Sequence, residues 1–410
     1  MKNKLEKYSV PILYVATIVG LGLSFFGSII NSKLLSKEFF GDWKYVQNYL
    51  MMISYFVNFG FYYSGGRLIA STDDPKRIST LKGYMLYQCL ASLLIMFVIT
   101  ICIGVFWQKL LDANLFHLLL VMFPLFIVQP LMFYLEAIFQ AERKLLSLSI
   151  YKILPPLLYV FSLLLFQSYS KNNIYYNAIL FYITYLIVFV YFIYNDKLTF
   201  KGKSEELSEL FIENKEYGSH LYYGSLFNVG STYILPILIG YFNITKIEVG
   251  NYSLASSFII PFAFLPTIVG TSYFKQFIKL DKIPKDAIRK VLMASILLLV
   301  FTVLSIDYLI AVFLGPKFLE VGFLVKIGAI GAILQGFGDF VNKFLSAKGK
   351  SPYIKRVAII VGIIQVIVSL FFIKLFSSTG AILAKNIGSF LYFFFLLLYY
   401  YRNYLRKVAI

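Results

Sequence analysis

The stretch "TGAILAKNIGSFLYFFFLLLYY", Thr379–Tyr400, has the length and composition of a helix that crosses a membrane. A spanning helix needs about 20 mostly apolar residues, and this stretch meets that requirement with one exception. Lys385 and Asn386 lie inside the apolar run, where a cation is costly to bury. Lys385 therefore has three open interpretations: it binds a ligand, it pairs with an acidic group, or it reaches out to water.

The rest of the chain repeats this composition. Its 410 residues are 59% hydrophobic and 14% charged, whereas a soluble protein carries about 25% charged residues. The apolar runs are continuous, which favours helices over the short alternating segments of a membrane β-barrel. We therefore predict an all-α polytopic membrane protein with about twelve transmembrane helices. The predicted spans are 9–30, 45–64, 83–106, 114–139, 151–168, 174–194, 219–241, 249–273, 288–314, 322–344, 354–374 and 379–401.

The distribution of basic residues predicts the orientation. An even number of helices puts both termini on one side, and most lysines and arginines, beginning with Lys2, Lys4 and Lys7, fall in segments on that side. Because such a bias in short loops sets topology, we predict cytoplasmic termini. The net charge of +18 then indicates a basic rim against anionic lipid rather than nucleic-acid binding, since no loop is long enough for a soluble domain.

The cysteines and histidines predict no reactive site. Cys89 and Cys102 fall in the same predicted helix, too far apart for a disulfide. His117 and His220 have no cysteine or carboxylate cluster beside them. We therefore predict no metal, no cofactor, no catalytic residue and no nucleic-acid partner.

The two halves of the chain share short sequence matches. The second member of each pair follows the first by roughly 206 to 209 residues. The pairs are "FGDW" (Phe40–Trp43) with "VGNY" (Val249–Tyr252), "WQKL" (Trp107–Leu110) with "GPKF" (Gly315–Phe318), and "FQAERK" (Phe139–Lys144) with "LSAKGK" (Leu345–Lys350). We predict two six-helix halves, 1–194 and 217–410, related by a parallel internal repeat, an arrangement in which transporters bind substrate between the halves. The linker 195–216 contains Leu207, Leu210 and Phe211 at the spacing of a short amphipathic helix on the cytoplasmic surface.

Longer motifs resemble one family of transporters. They are "FFGDWKYVQNY", "GFYYSGGRLIAS", "FLGPKFLEVGFLVKIGAIGAILQGF", "LSAKGKSPYIKR" and "STGAILAKNIGSF". Over essentially the whole chain, the sequence resembles the Wzx-type oligosaccharide flippases of the multidrug/oligosaccharidyl-lipid/polysaccharide (MOP) exporter superfamily. The resemblance implies that undecaprenyl-pyrophosphate-linked repeat units of O-antigen or capsule type are moved from the cytoplasmic to the outer leaflet of the bacterial cytoplasmic membrane. The family often has a small residue where Lys385 stands.

The same resemblance implies a set of partners. These are the lipid-linked oligosaccharide, membrane lipids, a polysaccharide polymerase, glycosyltransferases, and a coupling proton or sodium ion. A carrier for such a substrate needs cations and hydrogen-bonding groups that face a hydrated cavity, and ionisable residues within spans are functional candidates because burying them is costly.

The candidates fall into two groups. The predicted substrate-binding residues are Arg67, Lys326, Lys385, Gln129 and Gln335, and the predicted coupling residues are Glu136, Asp339 and Asp307. Glu136 shares a helix face with Gln129 and Gln140, and the four-residue steps of Gln335, Asp339 and Lys343 allow an Asp339–Lys343 ion pair. The alternative is that these polar residues only hydrogen-bond between helices and stabilise the bundle.

The basic candidates have structural alternatives of their own. The Arg67 guanidinium suits phosphate oxygens, but an arginine at a membrane interface also sets topology. Lys326 and Lys385 each lie about six residues, or ~9 Å, from the outer end of a predicted helix. They could contact the substrate anion, reach the interface, or pair with Asp307 at comparable depth.

Small residues at four-residue steps predict close helix contacts. They are Ala16, Gly20, Ser24 and Ser28 in the first helix, and Gly328, Ala332 and Gly336 in the tenth.

Two other functions stay open on sequence alone. A multidrug or other small-molecule exporter would need a cavity dominated by carboxylates. A polysaccharide polymerase or glycosyltransferase would need catalytic carboxylates, and the adjacent pair Asp73–Asp74 precedes Pro75, as in a turn or helix start.

Overall fold

A computed structural model describes residues 9–196, 198–200 and 204–406. Every regular element in these ranges is a helix, which confirms the all-α fold class. Lys2, Lys4 and Lys7, which contribute to the predicted orientation, lie outside the described residues.

The chain divides into two compact units, Met1–Leu226 and Phe227–Ile410. The helices of the first unit are α1 Ser9–Leu34, α2 Lys37–Phe56, α3 Phe61–Ala70, α4 Pro75–Phe106, α5 Ala113–Met122, α6 Val128–Ala141, α7 Leu145–Leu165, α8 Gln167–Ser170, α9 Ile174–Tyr194 and α10 Ser204–Glu213. A π-helix, Asn214–Gly218, leads into α11, Ser219–Phe242, which continues into the second unit. The helices that follow are α12 Ile247–Ser272, α13 Phe274–Lys279, α14 Lys285–Phe313, α15 Glu320–Ala347 and α16 Ser351–Tyr400.

Nine helical stretches within the described residues are long and apolar enough to cross a membrane. One of them, Ser351–Leu405, covers two predicted spans and is interrupted at Ser377, where φ is 53°. Apart from 45–64, the predicted spans lie on helical stretches of the structure to within a few residues, and the chain is a multi-pass membrane protein. The boundaries 1–194, 195–216 and 217–410 for the two halves and their linker stay a prediction.

The second predicted helix, 45–64, is wrong as a single element because α2 ends at Phe56 and α3 begins at Phe61. Phe59 and Gly60 have φ values of 51° and 87°, in the left-handed region that ends a helix. A Cβ at Gly60 would lie 2.5 Å from the carbonyl oxygen of Gly218. Glycine is therefore required here both by the backbone angle and by the close approach of a second segment.

Small residues bring helices into close contact in both units. A Cβ on Gly20 of α1 would lie 2.2 Å from the carbonyl oxygen of Lys152 on α7. On α15, a Cβ on Gly328 would lie 2.2 Å from Cδ1 of Ile259 on α12. The small-residue stripes thus pack helices together as predicted.

Candidate functional site

The first unit contains a cleft between α2, α3 and α6, with a volume of about 470 Å³. We call it the aromatic cleft. Its lining consists of Tyr55, Asn58, Tyr62, Tyr63, Gly66, Phe133, Glu136, Ala137, Gln140 and Ala141. The helix break after Phe56 places Asn58 in the wall, as expected where irregular backbone lines a cavity inside a membrane protein.

The aromatic rings of the cleft are held in fixed positions. Phe133 stacks on Tyr62 with a centroid distance of 6.2 Å and meets Tyr55 edge-on at 6.1 Å. The Tyr62 hydroxyl lies 3.1 Å from Sγ of Cys89. These contacts order the wall of the cleft, and Tyr63, 38% exposed in the same lining, offers a ring on which the apolar face of a sugar can stack.

The carboxylate in the cleft is neutralised by a lysine. Glu136 Oε1 accepts a hydrogen bond of 2.9 Å from Lys152 Nζ and one of 3.4 Å from Gln140 Nε2. Gln129, on the same predicted helix face, does not line the cleft but lies buried at 4% exposure. Its Oε1 has no hydrogen-bond partner among the described residues. Thus Glu136 and Gln140 border the cleft, whereas Gln129 lies in the helix packing.

Arg67 lies beside the aromatic cleft, next in the chain to Gly66. Its Nη1 contacts Glu213 Oε1 at 2.8 Å, and its guanidinium lies over the Tyr217 ring at 4.4 Å. The side chain is nevertheless 56% exposed. A guanidinium carries five N–H donors, so the contact with Glu213 leaves donors for a second anion.

The segment from α10 to the π-helix is fastened to α3 and α4 by polar contacts. Glu209 forms an ion pair with Arg77 at the start of α4. Ser64 Oγ donates to Asn214 Oδ1 at 2.9 Å, and Asn214 Nδ2 donates to the carbonyl of Phe59 at 3.2 Å. The short helix expected in the linker is thus present as α10, and its position is set by the first unit.

A second group of charged side chains joins three segments of the first unit: α4, the residues that follow α6, and the residues that follow α9. Lys82, only 3% exposed, contacts Glu142 and Asp196 at 2.8 Å each. Lys144 contacts Glu142 at 2.9 Å. Burial acts to lower the pKa of Lys144, but the hydrogen bond to Glu142 and the charge of Asp196 outweigh it and raise the pKa above its usual value. We call these four residues the Lys82 cluster.

In the second unit, Lys326 of α15 forms an ion pair with Asp307 of α14. Gly322 makes room for this pair, because a Cβ there would lie 2.4 Å from Oδ1 of Asp307. The structure therefore joins the two candidates in the ion pair that the sequence left open as an alternative.

Asp339 has uncharged hydrogen-bond partners. Its carboxylate accepts from Gln335 Nε2 at 3.4 Å and from Thr267 Oγ1 at 3.5 Å. The ion pair with Lys343 that the spacing allows does not form between these two described residues, and the hydrogen bonds to the carboxylate come from Gln335 and Thr267 instead. Lys343 packs against α12, since its Cγ would lie 3.2 Å from a Cβ on Gly270.

Lys385 is half-buried in α16, and within the described ranges it has neither an ion-pair partner nor a hydrogen bond. Asp307, one of its predicted partners, is engaged by Lys326. The neighbouring Asn386 donates to the carbonyl of Ile327 at 2.9 Å and so belongs to the packing of α16 on α15. Lys385 therefore takes no part in the ion pair between Lys326 and Asp307.

Sequence reasoning missed the tyrosines and Phe133 of the aromatic cleft because aromatic residues occur throughout this chain, which has 33 Tyr and 42 Phe. The useful local signal is "NFG", Asn58–Gly60, which marks the helix break that forms one wall. Across the described ranges, His, Cys, Asp and Glu side chains form no group of three that could hold a metal ion.

The fold is that of membrane transporters of the MOP superfamily. A lipid II flippase, MurJ in an inward closed conformation, has a TM-score of 0.75 and 15% identity, covering 96% of this chain and 89% of its own. An inward-facing multidrug resistance MATE family transporter has a TM-score of 0.65 and 13% identity, covering 97% and 98%. A MOP superfamily transporter from Pyrococcus furiosus has a TM-score of 0.57 and 13% identity, covering 98% and 96%.

Within that fold, the chain belongs to the polysaccharide biosynthesis protein family, whose model matches residues 9–274. No curated protein matches the chain significantly. Family and fold together support a flippase or transporter of the MOP superfamily. They are a family and a fold of transporters rather than enzymes, which confirms the prediction that the chain is not an enzyme.

Proposed function

We propose that this protein flips oligosaccharide repeat units linked to undecaprenyl pyrophosphate from the cytoplasmic to the outer leaflet of a bacterial cytoplasmic membrane. The units serve the assembly of a surface polysaccharide of O-antigen or capsule type. In this proposal both termini are cytoplasmic, and the two helical halves give alternating access to the substrate.

The observation that carries the proposal is the position of the aromatic cleft beside Arg67. The exposed ring of Tyr63 suits a sugar ring, and the exposed amide of Gln140 suits sugar hydroxyls. The half-exposed guanidinium of Arg67 suits the oxygens of a pyrophosphate. A lipid-linked oligosaccharide combines these two chemical parts in one molecule.

The proposal assigns different tasks to the remaining candidates. Lys385 contacts the anionic part of the substrate, because it is a cation within a span and has no charged partner among the described residues. Lys326 and Asp307 stabilise the second unit through their ion pair. Gln129 and Gln335 support the packing and the Asp339 carboxylate, respectively.

Asp339 is the carboxylate that we assign to ion coupling. Glu136 and Asp307 are each neutralised by a lysine, whereas the hydrogen bonds to Asp339 come from uncharged groups. A carboxylate inside a span with uncharged partners can take up a proton or a sodium ion without breaking an ion pair. We expect Asp339→Asn to abolish the response of transport to an imposed proton or sodium gradient, and Asp307→Asn to keep it.

A multidrug or small-molecule exporter is the second candidate, favoured by the presence of Glu136 in an aromatic cleft. A cationic drug would bind such a carboxylate, but Lys152 at 2.9 Å already neutralises it. The polymerase or glycosyltransferase alternative is not supported, because the family and fold are those of transporters.

The proposed function is tested in a strain that lacks the gene. We expect lipid-linked repeat units to accumulate on the cytoplasmic side and the surface polysaccharide to disappear. Complementation with the wild-type gene should restore the polysaccharide, and Arg67→Gln should restore much less of it at the same protein level. Arg77→Gln is the matched control, because it also removes an arginine paired with α10 but lies outside the cleft.

Two results contradict this proposal. Accumulation of unpolymerised units on the outer side would mean that flipping does not need this protein. Normal surface polysaccharide together with increased sensitivity to cationic drugs would favour the exporter instead.

A further inference from the structure

The first unit contains a second cleft, of about 520 Å³, at its opposite end. We call it the asparagine cleft. Its walls come from the start of α2, the start of α5, and the segment between α8 and α9, and include Phe39, Asp42, Asn114, Tyr169, Lys171 and Tyr175. The aromatic cleft lies at the other end of α2, whose 20 residues correspond to about 30 Å of helix, the thickness of a bilayer core. The two clefts therefore open toward opposite faces of the membrane.

Hydrogen bonds hold the segments around the asparagine cleft in place. The backbone N–H of Asn172 donates to Leu34 O at 2.8 Å, and its Oδ1 accepts from Ser36 N at 3.1 Å. Asn177 Nδ2 donates to the carbonyls of Ser170 and Asn173 at 2.7 Å. A cleft with walls fixed in this way loses little conformational entropy when a ligand binds.

The exposed lining groups of this cleft match the chemistry of a sugar. Tyr169 is 68% exposed, and Phe39 is also exposed, so both rings can take the apolar face of a sugar ring. The exposed amide of Asn114 can donate to and accept from hydroxyl groups.

The charge of the lining argues against an anionic ligand. The lining contains one cation, Lys171, and one carboxylate, Asp42. A phosphate site would carry an excess of basic groups, whereas balanced charge with amides and rings suits an uncharged glycan.

We propose that the asparagine cleft is a glycan-binding site that holds the sugar portion of the substrate at the outer face of the membrane. This inference rests on the proposed function, because the direction of transport defines which face is the outer one. It adds a second sugar contact at the far end of α2, where the glycan arrives after crossing. The pyrophosphate and the lipid are not recognised there.

The test uses the full-length protein in phosphatidylcholine nanodiscs. The probe is the free oligosaccharide repeat unit from the surface polysaccharide of the strain that carries the gene, without lipid or phosphate. Binding is measured by thermophoresis and by saturation-transfer NMR. We expect saturable binding by the wild type at two sites, the aromatic cleft and the asparagine cleft. In the double variant Asn114→Ala/Tyr169→Ala the dissociation constant of the asparagine cleft should rise at least about tenfold, because a ring contact and a hydrogen bond are both lost, and the aromatic cleft should bind as in the wild type.

Two control variants accompany the double variant: one removes an aromatic side chain outside the cleft, and the other removes only the hydroxyl group of Tyr169. Phe106→Ala removes an exposed aromatic side chain that does not line the cleft, at the C-terminal end of α4, and should bind like the wild type. Tyr169→Phe keeps the ring and should bind within about threefold of the wild type. The thermal unfolding midpoint of each variant shows whether it is folded.

Absence of saturable binding by the wild type, or equal binding by the folded double variant, would overturn the inference. Failure of the proposed function is recognised separately, by the site at which lipid-linked units accumulate in the deletion strain. If units accumulate outside while the purified protein still binds the oligosaccharide through Asn114 and Tyr169, the flippase proposal fails and the glycan site stands.

Discussion

At the residue scale, Lys385 and Lys326 are chemically alike but differ in their surroundings. Both are lysines in spans of the second unit, and Lys326 contacts Asp307, whereas Lys385 has no charged contact among the described residues. An ion pair explains the presence of Lys326 without a ligand. Lys385 costs free energy to bury and gains no ion pair in return, as expected of a residue whose partner is the substrate.

This contrast gives the first prediction. We expect Lys385→Met not to lower the free energy of unfolding, because no ion pair is lost, but to slow the flipping of lipid-linked oligosaccharide in proteoliposomes at least about tenfold, as for the loss of a charged hydrogen bond. Lys326→Met is the matched control and should lower the free energy of unfolding, since it leaves Asp307 inside a span without its cation. Wild-type flipping by the Lys385 variant would remove Lys385 from the substrate site.

At the element scale, the break between α2 and α3 shapes the aromatic cleft, and it depends on the contact of two glycines. Gly60 has φ 87°, and its Cα faces the backbone of Gly218. We expect Gly60→Ala to lower the free energy of unfolding by about 2 to 4 kcal/mol, the sum of backbone strain and overpacking.

Gly349→Ala is the control for this substitution. Gly349 also has a positive φ, 71°, but nothing lies within 4 Å of the position of its Cβ. We expect Gly349→Ala to lower the free energy of unfolding by about 1 to 2 kcal/mol, which is the backbone strain alone. Equal losses for both variants, measured by guanidinium titration in detergent, would mean that the contact with Gly218 does not matter.

The elements themselves show what sequence can predict. Long apolar runs such as Gly83–Trp107 predict a helix reliably because composition over about 20 residues decides it. The break at Phe59–Gly60 was not predicted, since it depends on Gly218, which lies far along the chain. The spacing of Asp339 and Lys343 allows an ion pair that does not form, because spacing alone does not set the direction of a side chain, and Lys343 packs against Gly270 on a neighbouring helix.

At the scale of the whole molecule, the Lys82 cluster joins segments that are distant in sequence. Lys82 is separated from Glu142 by 60 residues and from Asp196 by 114. No local pattern connects such residues, so the cluster could not be found by spacing. The ion pair between Lys326 and Asp307 could at least be named as an alternative, because both residues lie at similar depth in neighbouring predicted helices.

The Lys82 cluster gives the last prediction. Lys82→Met leaves Glu142 and Asp196 with only the more exposed Lys144 of the cluster, and we expect the free energy of unfolding to fall by about 2 to 3 kcal/mol, less than for a buried charge with no partner. Arg77→Met breaks a more exposed ion pair with Glu209 and should cost less than about 1 kcal/mol. Adding Asp196→Asn to the Lys82 variant should restore part of the loss. No restoration would mean that repulsion between the carboxylates is not the cause.

The contacts of α10 and the π-helix also fix the length of this segment. Glu209 and Glu213 are one helical step of four residues apart and meet Arg77 and Arg67, while Gly218 meets Gly60. One residue inserted after Glu209 would rotate everything that follows by about 100° and advance it by about 1.5 Å. Glu213 would turn away from Arg67, and a residue with a side chain would replace Gly218 against the helix break. The register of these fifteen residues, and not only their charges, is therefore what keeps the guanidinium of Arg67 beside the cleft.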